Sequence, residues 1–163
     1  MEFLKVELEN EELVTLLSKI ATEIVKKYYD PLLGVEQNDY MIEKFQSVPA
    51  IRSQLARGYR YYIAQERFHA IGFMGFYPKD DHMYLSKLYL SDGERGKGYG
   101  RKMLDFCVQN AKDEGLSAIE LNVNKKNAST AIYEKMGFKK IRSERNDIGG
   151  GYFMDDFVYR LEF

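Results

Sequence analysis

A chain of 163 residues, 45% apolar and 14% aromatic, can bury a core without staples and is too apolar to be disordered. A formal net charge of -1, with acids and bases interspersed, leaves no basic stripe for nucleic acid, and no stretch approaches the ~20 apolar residues that span a bilayer. The single cysteine, Cys107, excludes an internal disulfide, and Met1-Glu2-Phe3-Leu4-Lys5 lacks a basic-then-apolar leader, so a soluble cytoplasmic chain is expected.

Phe3 to Leu8 alternates apolar and charged residues and reads as a half-buried strand. Asn10 is placed as a helix N-cap, with Glu11 and Glu12 at the positive end of the dipole. Leu13, Leu16, Leu17, Ile20, Ile24 and Val25 recur at helical spacing, and Pro31 should stop that helix near Asp30. A second helix runs from about Gln37 to Phe45; Pro49 interrupts it, and Ile51 to Leu55 resumes helical spacing. Three strands follow: Tyr59 to Ala64, Ala70 to Tyr77 and His82 to Leu90. A helix from about Gly98 to Asp113 turns Met103, Leu104, Cys107, Val108 and Ala111 to one face and stops at Gly115. Ser117 to Val123 is a strand, and Asn127 to Met136 a short helix capped by Asn127 and closed by Gly137. Lys139 to Glu144 and Tyr152 to Leu161 are strands on either side of the Gly149-Gly150-Gly151 turn. This order predicts a single α/β domain over residues 1–163, with a mixed, mostly antiparallel sheet and one βαβ crossover.

Chemistry concentrates between Leu88 and Phe138. Arg95-Gly96-Lys97-Gly98-Tyr99-Gly100 lies between a strand and a helix. Glycines let the backbone approach a ligand closely, and amides at a helix start form an anion site, reinforced by Arg95, Lys97 and Arg101. Neither a Walker loop nor a dinucleotide fingerprint is present: Gly96-Lys97 is followed by Gly98, and the loop reads G-x-G-x-G.

The run Leu88-Tyr89-Leu90 followed by Arg95-Gly96-Lys97-Gly98-Tyr99-Gly100 resembles motif A of the GNAT N-acetyltransferase superfamily, whose loop is [QR]-x-x-G-x-[GA]. Asn127-Ala128-Ser129-Thr130-Ala131-Ile132-Tyr133-Glu134-Lys135-Met136-Gly137-Phe138 resembles its motif B, with Tyr133, Gly137 and Phe138 at the family spacing. Ser129 stands where an alanine is usual, and Asn127 lies one residue closer to the tyrosine. The stretch Tyr29-Asp30-Pro31-Leu32-Leu33-Gly34 is similar to the bacterial polyamine type.

The resemblance implies acetyl-CoA as cosubstrate. Its pantetheine arm would pair with the backbone of Leu88, Tyr89 and Leu90, opposite Ile119 to Val123. The pyrophosphate would sit on Arg95 to Arg101, and Asn127 would contact the cofactor. Tyr133 would be the catalytic donor to the leaving thiolate, and an amide near Leu88 would stabilise the oxyanion. The family often carries a glutamate base on the strand before the loop or on the strand opposite. Here those positions hold Tyr84, Ser86 and Asn122, and Glu120, on the same face as Asn122, is the candidate to act through water.

Asp155 and Asp156, with Tyr28, Tyr29, Asp30, Glu36 and Tyr40, are the candidate walls of an acceptor pocket that would suit a small amine or polyamine. Cys107 reads as core, and His69 and His82 lack partners at metal-ligand spacing, so no metal is expected. Two alternatives remain: a protein lysine or N-terminal acetyltransferase, and a non-catalytic acyl-CoA sensor. The family also makes a homodimer through the C-terminal strands an expectation.

Overall fold

A computed structural model describes residues 1–163. β1 (Glu2–Val6) leads to α1 (Glu11–Leu33), α2 (Val35–Gln46) and α3 (Val48–Ala56), then to β2 (Arg60–Glu66), β3 (His69–Lys79) and β4 (His82–Leu90). α4 (Tyr99–Asp113), β5 (Ala118–Asn124), α5 (Thr130–Lys135), β6 (Lys139–Gly149) and β7 (Tyr152–Glu162) complete the chain. All seven strands join one sheet in the order β1-β2-β3-β4-β5-β7-β6. Only β4 and β5 pair in parallel, with α4 as the crossover, so the mixed sheet expected from the sequence is present.

Each face of the sheet carries its own core. α4 buries Met103, Leu104, Cys107 and Ala111 against Met74, Phe76, Met83, Leu85, Ile119 and Leu121. On the other face, Val14, Leu17, Ala21 and Ile24 of α1 and Ile51 of α3 pack on Tyr61, Ile63 and Phe73. Each fully buried side chain of this size contributes roughly 1.5–3 kcal/mol, which sets the sheet firmly between two helical layers. Cys107 is buried as read, and burial pushes its thiol up to about 12.

Four boundaries depart from the sequence reading. α1 runs through Pro31 to Leu33, where Gly34 closes it by donating its N–H to the Asp30 carbonyl at 3.0 Å. Proline in the last turn forfeits one hydrogen bond, to the Lys27 carbonyl, and burial of Val25 and Tyr29 on the same helix offsets the loss. Pro49 starts a third helix instead of interrupting the second. It lies in the first turn of α3, where its missing N–H is not needed, and Ser47 Oγ caps by accepting from Ala50 N at 3.3 Å. The helix expected from Asn127 begins only at Thr130. Asn127 Oδ1 accepts from Ser129 N at 2.8 Å, so it caps the turn that precedes α5 and not the helix itself. β6 also extends past Glu144 to Gly149, because its ladder with β7 continues to Gly149↔Tyr152.

One irregularity opens the centre of the sheet. On β4, Gly75 of β3 pairs with Lys87 but Phe76 pairs with Leu85, so Ser86 is an extra, bulged residue. The β4–β5 ladder holds for His82↔Ala118, Met83↔Ile119 and Tyr84↔Glu120, then ends. Beyond the bulge the two parallel strands part, leaving one edge of Leu88 to Leu90 and the facing edge of Leu121 to Val123 without a strand partner.

Candidate active site

The gap between the parted strands is a narrow cavity of about 90 Å³. Leu88, Tyr89 and Leu90 line one side, Leu121, Asn122 and Val123 the other, and Tyr133, Arg95, Asn127, Tyr28 and Tyr29 its ends. The structure therefore gathers Leu88, Tyr89, Leu90, Arg95, Asn127 and Tyr133, all singled out in the sequence, into one slot. Lys97, Gly98, Tyr99, Gly100 and Arg101 lie next to it, at the start of α4. Gly98 is the α4 N-cap at φ 84°, ψ 3°, a left-handed conformation that glycine adopts freely, and a Cβ there would meet no atom within 4 Å. The loop thus presents open backbone to its outer side, which fits a ligand that needs close approach to successive amides. Tyr99 is half-buried against the α4 core, whereas Lys97 and Arg101 are surface groups paired with Glu94 (3.3 Å) and Asp105 (3.2 Å). Exposed pairs of this kind contribute little and yield readily to a phosphate. Arg95 lies over the Tyr28 ring at 4.7 Å.

Asn127 ties the two sides of the slot together. Its Oδ1 accepts from the Tyr28 hydroxyl at 2.6 Å and from Ser129 N at 2.8 Å, and its Nδ2 donates to the Tyr29 hydroxyl at 3.2 Å. Tyr133 stands edge-on to Phe138, with ring centroids 5.6 Å apart. Burial, with a smaller contribution from Tyr29 and Tyr28, pushes its hydroxyl up to about 12.

A second cavity of about 840 Å³ opens on the α1–α2 side of the same strands. It meets the slot at four residues that line both: Tyr29, Ser86, Tyr89 and Asn122. Its floor includes Tyr59, Tyr77 and Tyr84; α2 contributes Met41, Phe45 and Gln46. Five carboxylates line it, Asp80, Asp81, Glu120, Glu144 and Asp156, against the cationic side chains Lys79, Lys87 and Arg142. Glu120 is held by Arg160 at 2.6 Å, with His82 at 3.4 Å and Arg142 at 3.6 Å, so its carboxylate is committed to ion pairs.

Of the residues expected to wall an acceptor pocket, Tyr29 and Asp156 line this cavity, and Tyr28 lines the slot instead. Asp155 pairs with Lys125 at 3.0 Å, and Asp30 with Lys26 at 3.0 Å. Tyr40 docks the β6–β7 hairpin onto α2 by donating to the Ile148 carbonyl at 2.8 Å, and Glu36 lies beside Tyr152 of that hairpin. These contacts close one end of the cavity from behind without lining it.

Sequence reasoning missed Lys87, Gln46 and Gln54. The signal was present: a lysine inside the apolar run His82 to Leu90, and two glutamines on the inner faces of helices. Lys87 is 6% exposed and donates to the Phe45 carbonyl at 2.6 Å, Gln46 Oε1 at 2.9 Å and Gln54 Oε1 at 3.3 Å. No carboxylate is among its partners, and burial pulls its ammonium down to about 7. Between about pH 7 and 10.5 the folded chain therefore binds fewer protons here than the unfolded chain, and stability gains with rising pH across that window. In Lys87→Met that contribution is expected to vanish, flattening the pH slope whatever the mutation does to absolute stability; urea unfolding at pH 7 and pH 10 for both proteins reads it.

The model of the acetyltransferase (GNAT) family matches residues 20–138. No curated protein matches the sequence significantly. Among solved structures, the chain is similar to a PaiA N-acetyltransferase from Thermoplasma acidophilum in complex with coenzyme A, at 21% identity over 100% of both chains and a TM-score of 0.80. A GCN5-related N-acetyltransferase from Rhodopseudomonas palustris shares 14% identity over 99% of this chain and 95% of that one, with a TM-score of 0.81. A GNAT family acetyltransferase from Elizabethkingia anophelis with acetyl-CoA bound aligns over 69% of this chain and 82% of its own, at 17% identity and a TM-score of 0.58. The family match runs from α1 through the bulged strand and the glycine loop to Phe138, across both cavities, and the chain belongs to the acetyltransferase (GNAT) family, N-acetyltransferases that draw their acyl group from acetyl-CoA.

Proposed function

We propose that the chain transfers an acetyl group from acetyl-CoA to the primary amine of a small cationic acceptor, a polyamine or a related amine, by direct attack. The observation that carries this reading is the junction at Tyr29, Ser86, Tyr89 and Asn122, where the slot between β4 and β5 opens into the large cavity. An acyl group delivered along the slot meets an amine delivered through the cavity at one place. The carboxylate excess on the cavity wall attracts a cation, and Tyr59, Tyr77, Tyr84 and Tyr89 line the cavity with aromatic surface. A cavity backed by α2 and the β6–β7 hairpin suits a small molecule better than a peptide chain. The single buried thiol also fits a reducing, cytoplasmic setting.

In this reading the amide edge of Leu88 to Leu90 holds the pantetheine arm, and an N–H beside the bulge receives the carbonyl oxygen as it turns anionic. Arg95 and the amides of Gly96 to Arg101 hold the pyrophosphate. Tyr133 donates a hydrogen bond to the sulfur as the C–S bond breaks. With its hydroxyl near 12 and a thiol at ~8.5, outright transfer to sulfur is uphill by roughly 5 kcal/mol, so a strong hydrogen bond is its main contribution until the proton can be replaced.

Free thiol released from acetyl-CoA, measured across spermidine, spermine, simple alkylamines, aminoglycosides and short peptides, tests the proposal. Release with small amines and none with peptides is the expected result. No release from any acceptor, with acetyl-CoA still raising the Tm, would leave a sensor that binds acyl-CoA without turning it over.

A further inference from the structure

The reaction needs a neutral amine, and an alkylammonium with pKa ~10.4 supplies only a few neutral molecules per ten thousand at pH 7. Some group must take the proton. Asp81 and Glu120 are bound to Arg160, Glu144 is bound to Arg142 at 2.8 Å, and Asp80 is exposed at a turn. Asp156 differs from all of them. It is 2% exposed, lines the cavity and has no cationic partner. Its one hydrogen bond is from Asn122 Nδ2 at 3.3 Å.

Asn122 is one of the four junction residues, so Asp156 stands a single side chain from the meeting point of amine and acyl group. Asn122 is itself fixed: its Oδ1 accepts from the Tyr84 hydroxyl at 2.9 Å and its Nδ2 also donates to Glu144 at 3.1 Å. β7 delivers Asp156 here because it pairs with Asn124, at the end of β5 that has parted from β4.

We propose that Asp156 takes the proton from the acceptor's ammonium, with Asn122 holding its carboxylate at the junction. This rests on the acetyltransferase reading above and names the base that reading lacks. One proton passes from the ammonium to Asp156. The freed lone pair forms the C–N bond at the thioester carbonyl, and the C–S bond breaks. The acylated nitrogen sheds its second proton, which reaches sulfur through the Tyr133 hydroxyl; that hydroxyl gives one proton and regains one. Asp156 releases its proton to solvent, leaving amide, free thiol and one proton.

The surroundings suit a proton acceptor. Burial, and then Glu144 and Asp155, raise the Asp156 carboxyl above the ordinary range, while Asn122 and Lys125 lower it. Tyr29 from α1 and Tyr84 and Tyr89 from β4 are the other titratable groups that feel its charge; all three have hydroxyls raised by burial and stay neutral at working pH.

Two acceptors separate a base from a mere anchor: ethylamine, an ammonium at pH 7, and 2,2,2-trifluoroethylamine, already neutral there. Asp156→Asn is expected to lower kcat for ethylamine about 100-fold. It should leave trifluoroethylamine within about fivefold, with acetyl-CoA still raising the Tm of the variant. Equal losses on both amines, a loss confined to KM, or no loss would each overturn the assignment. Wild-type protein gives a second test that needs no variant. The acid limb of kcat/KM is expected to follow Asp156 with ethylamine and only the amine's own protonation with trifluoroethylamine, and a trifluoroethylamine limb that departs from that amine's own titration would also overturn it. A wild type active on amines beside an unaffected Asp156→Asn removes Asp156 alone; a wild type inactive on every amine removes the transferase reading and this proposal together.

Discussion

Tyr133→Phe is expected to lower kcat about 100-fold while acetyl-CoA affinity stays within about twofold. The reasoning begins with packing. The ring lies edge-on to Phe138 and packs against the α4-side core, and both contacts survive in phenylalanine, so the slot keeps its shape. What is lost is one hydroxyl at the end of the slot, and no hydrogen bond within the protein engages it. Pantetheine pairing with Leu88 to Leu90 uses backbone and does not feel the change. The thiolate that develops as the C–S bond breaks does feel it, because the only donor assigned to it has gone. The hydroxyl also stays protonated up to about pH 12, so Tyr133 should put no basic limb into the wild-type profile at ordinary pH. Single-turnover rates and acetyl-CoA titrations on both proteins separate chemistry from binding. Unchanged turnover in the variant would remove Tyr133 from the mechanism.

The second large effect is expected where no chemistry occurs. A Cβ added at Gly72 of β3 would lie 2.3 Å from the Tyr89 carbonyl oxygen and 3.2 Å from Leu90 Cα. Both are backbone atoms of β4, so no side chain can swing away to relieve the clash. Gly72→Ala should therefore cost about 3 kcal/mol, lowering the Tm by roughly 6–12 °C in a chain of this size. The strand it displaces is also the expected wall of the slot, so the KM for acetyl-CoA should rise along with the loss of stability. Calorimetry and initial rates on the same preparation test both halves. A fully stable Gly72→Ala would mean that β3 and β4 can separate locally, and a destabilised variant with unchanged KM would mean that Leu88 to Leu90 do not hold the donor.

Much of the fold was legible because its elements announce themselves through period and punctuation. β4 was placed at its observed bounds from one aromatic-apolar run, and α4 nearly so from its apolar face and the glycines at either end. The errors cluster at prolines and at Asn127. Pro31 and Pro49 carry the same local signal, yet one sits in a last turn and the other in a first turn. Only tertiary burial decides which. Asn127 does cap, but it caps the turn before α5 by accepting from Ser129 N, and Tyr28 and Tyr29, about a hundred residues earlier, share its side chain. The candidate site was legible where it rests on contiguous residues, in the glycine loop and around Tyr133. The acceptor side was less so. Its walls come from α1, α2, α3, β3, β4, β5, β6 and β7, and no spacing rule links Lys87 to Gln54 or Asp156 to Asn122. The bulge at Ser86 leaves no mark in the sequence at all, since it exists only as a mismatch in counting between two strands.

A donor bound along that mismatch would be a structural component as well as a reactant. Past Ser86 the sheet has an open seam, and a bound pantetheine arm would close it much as another strand would. Occupancy and local unfolding then compete for the same amides: at a hundred times its Kd the donor adds about 2.7 kcal/mol to the folded state. Amide exchange at Leu88 to Leu90 is then expected to slow as the donor binds, and so to gauge how fully the enzyme is charged. A bare seam is an edge that another strand could capture, so added acetyl-CoA is expected to suppress association of this protein.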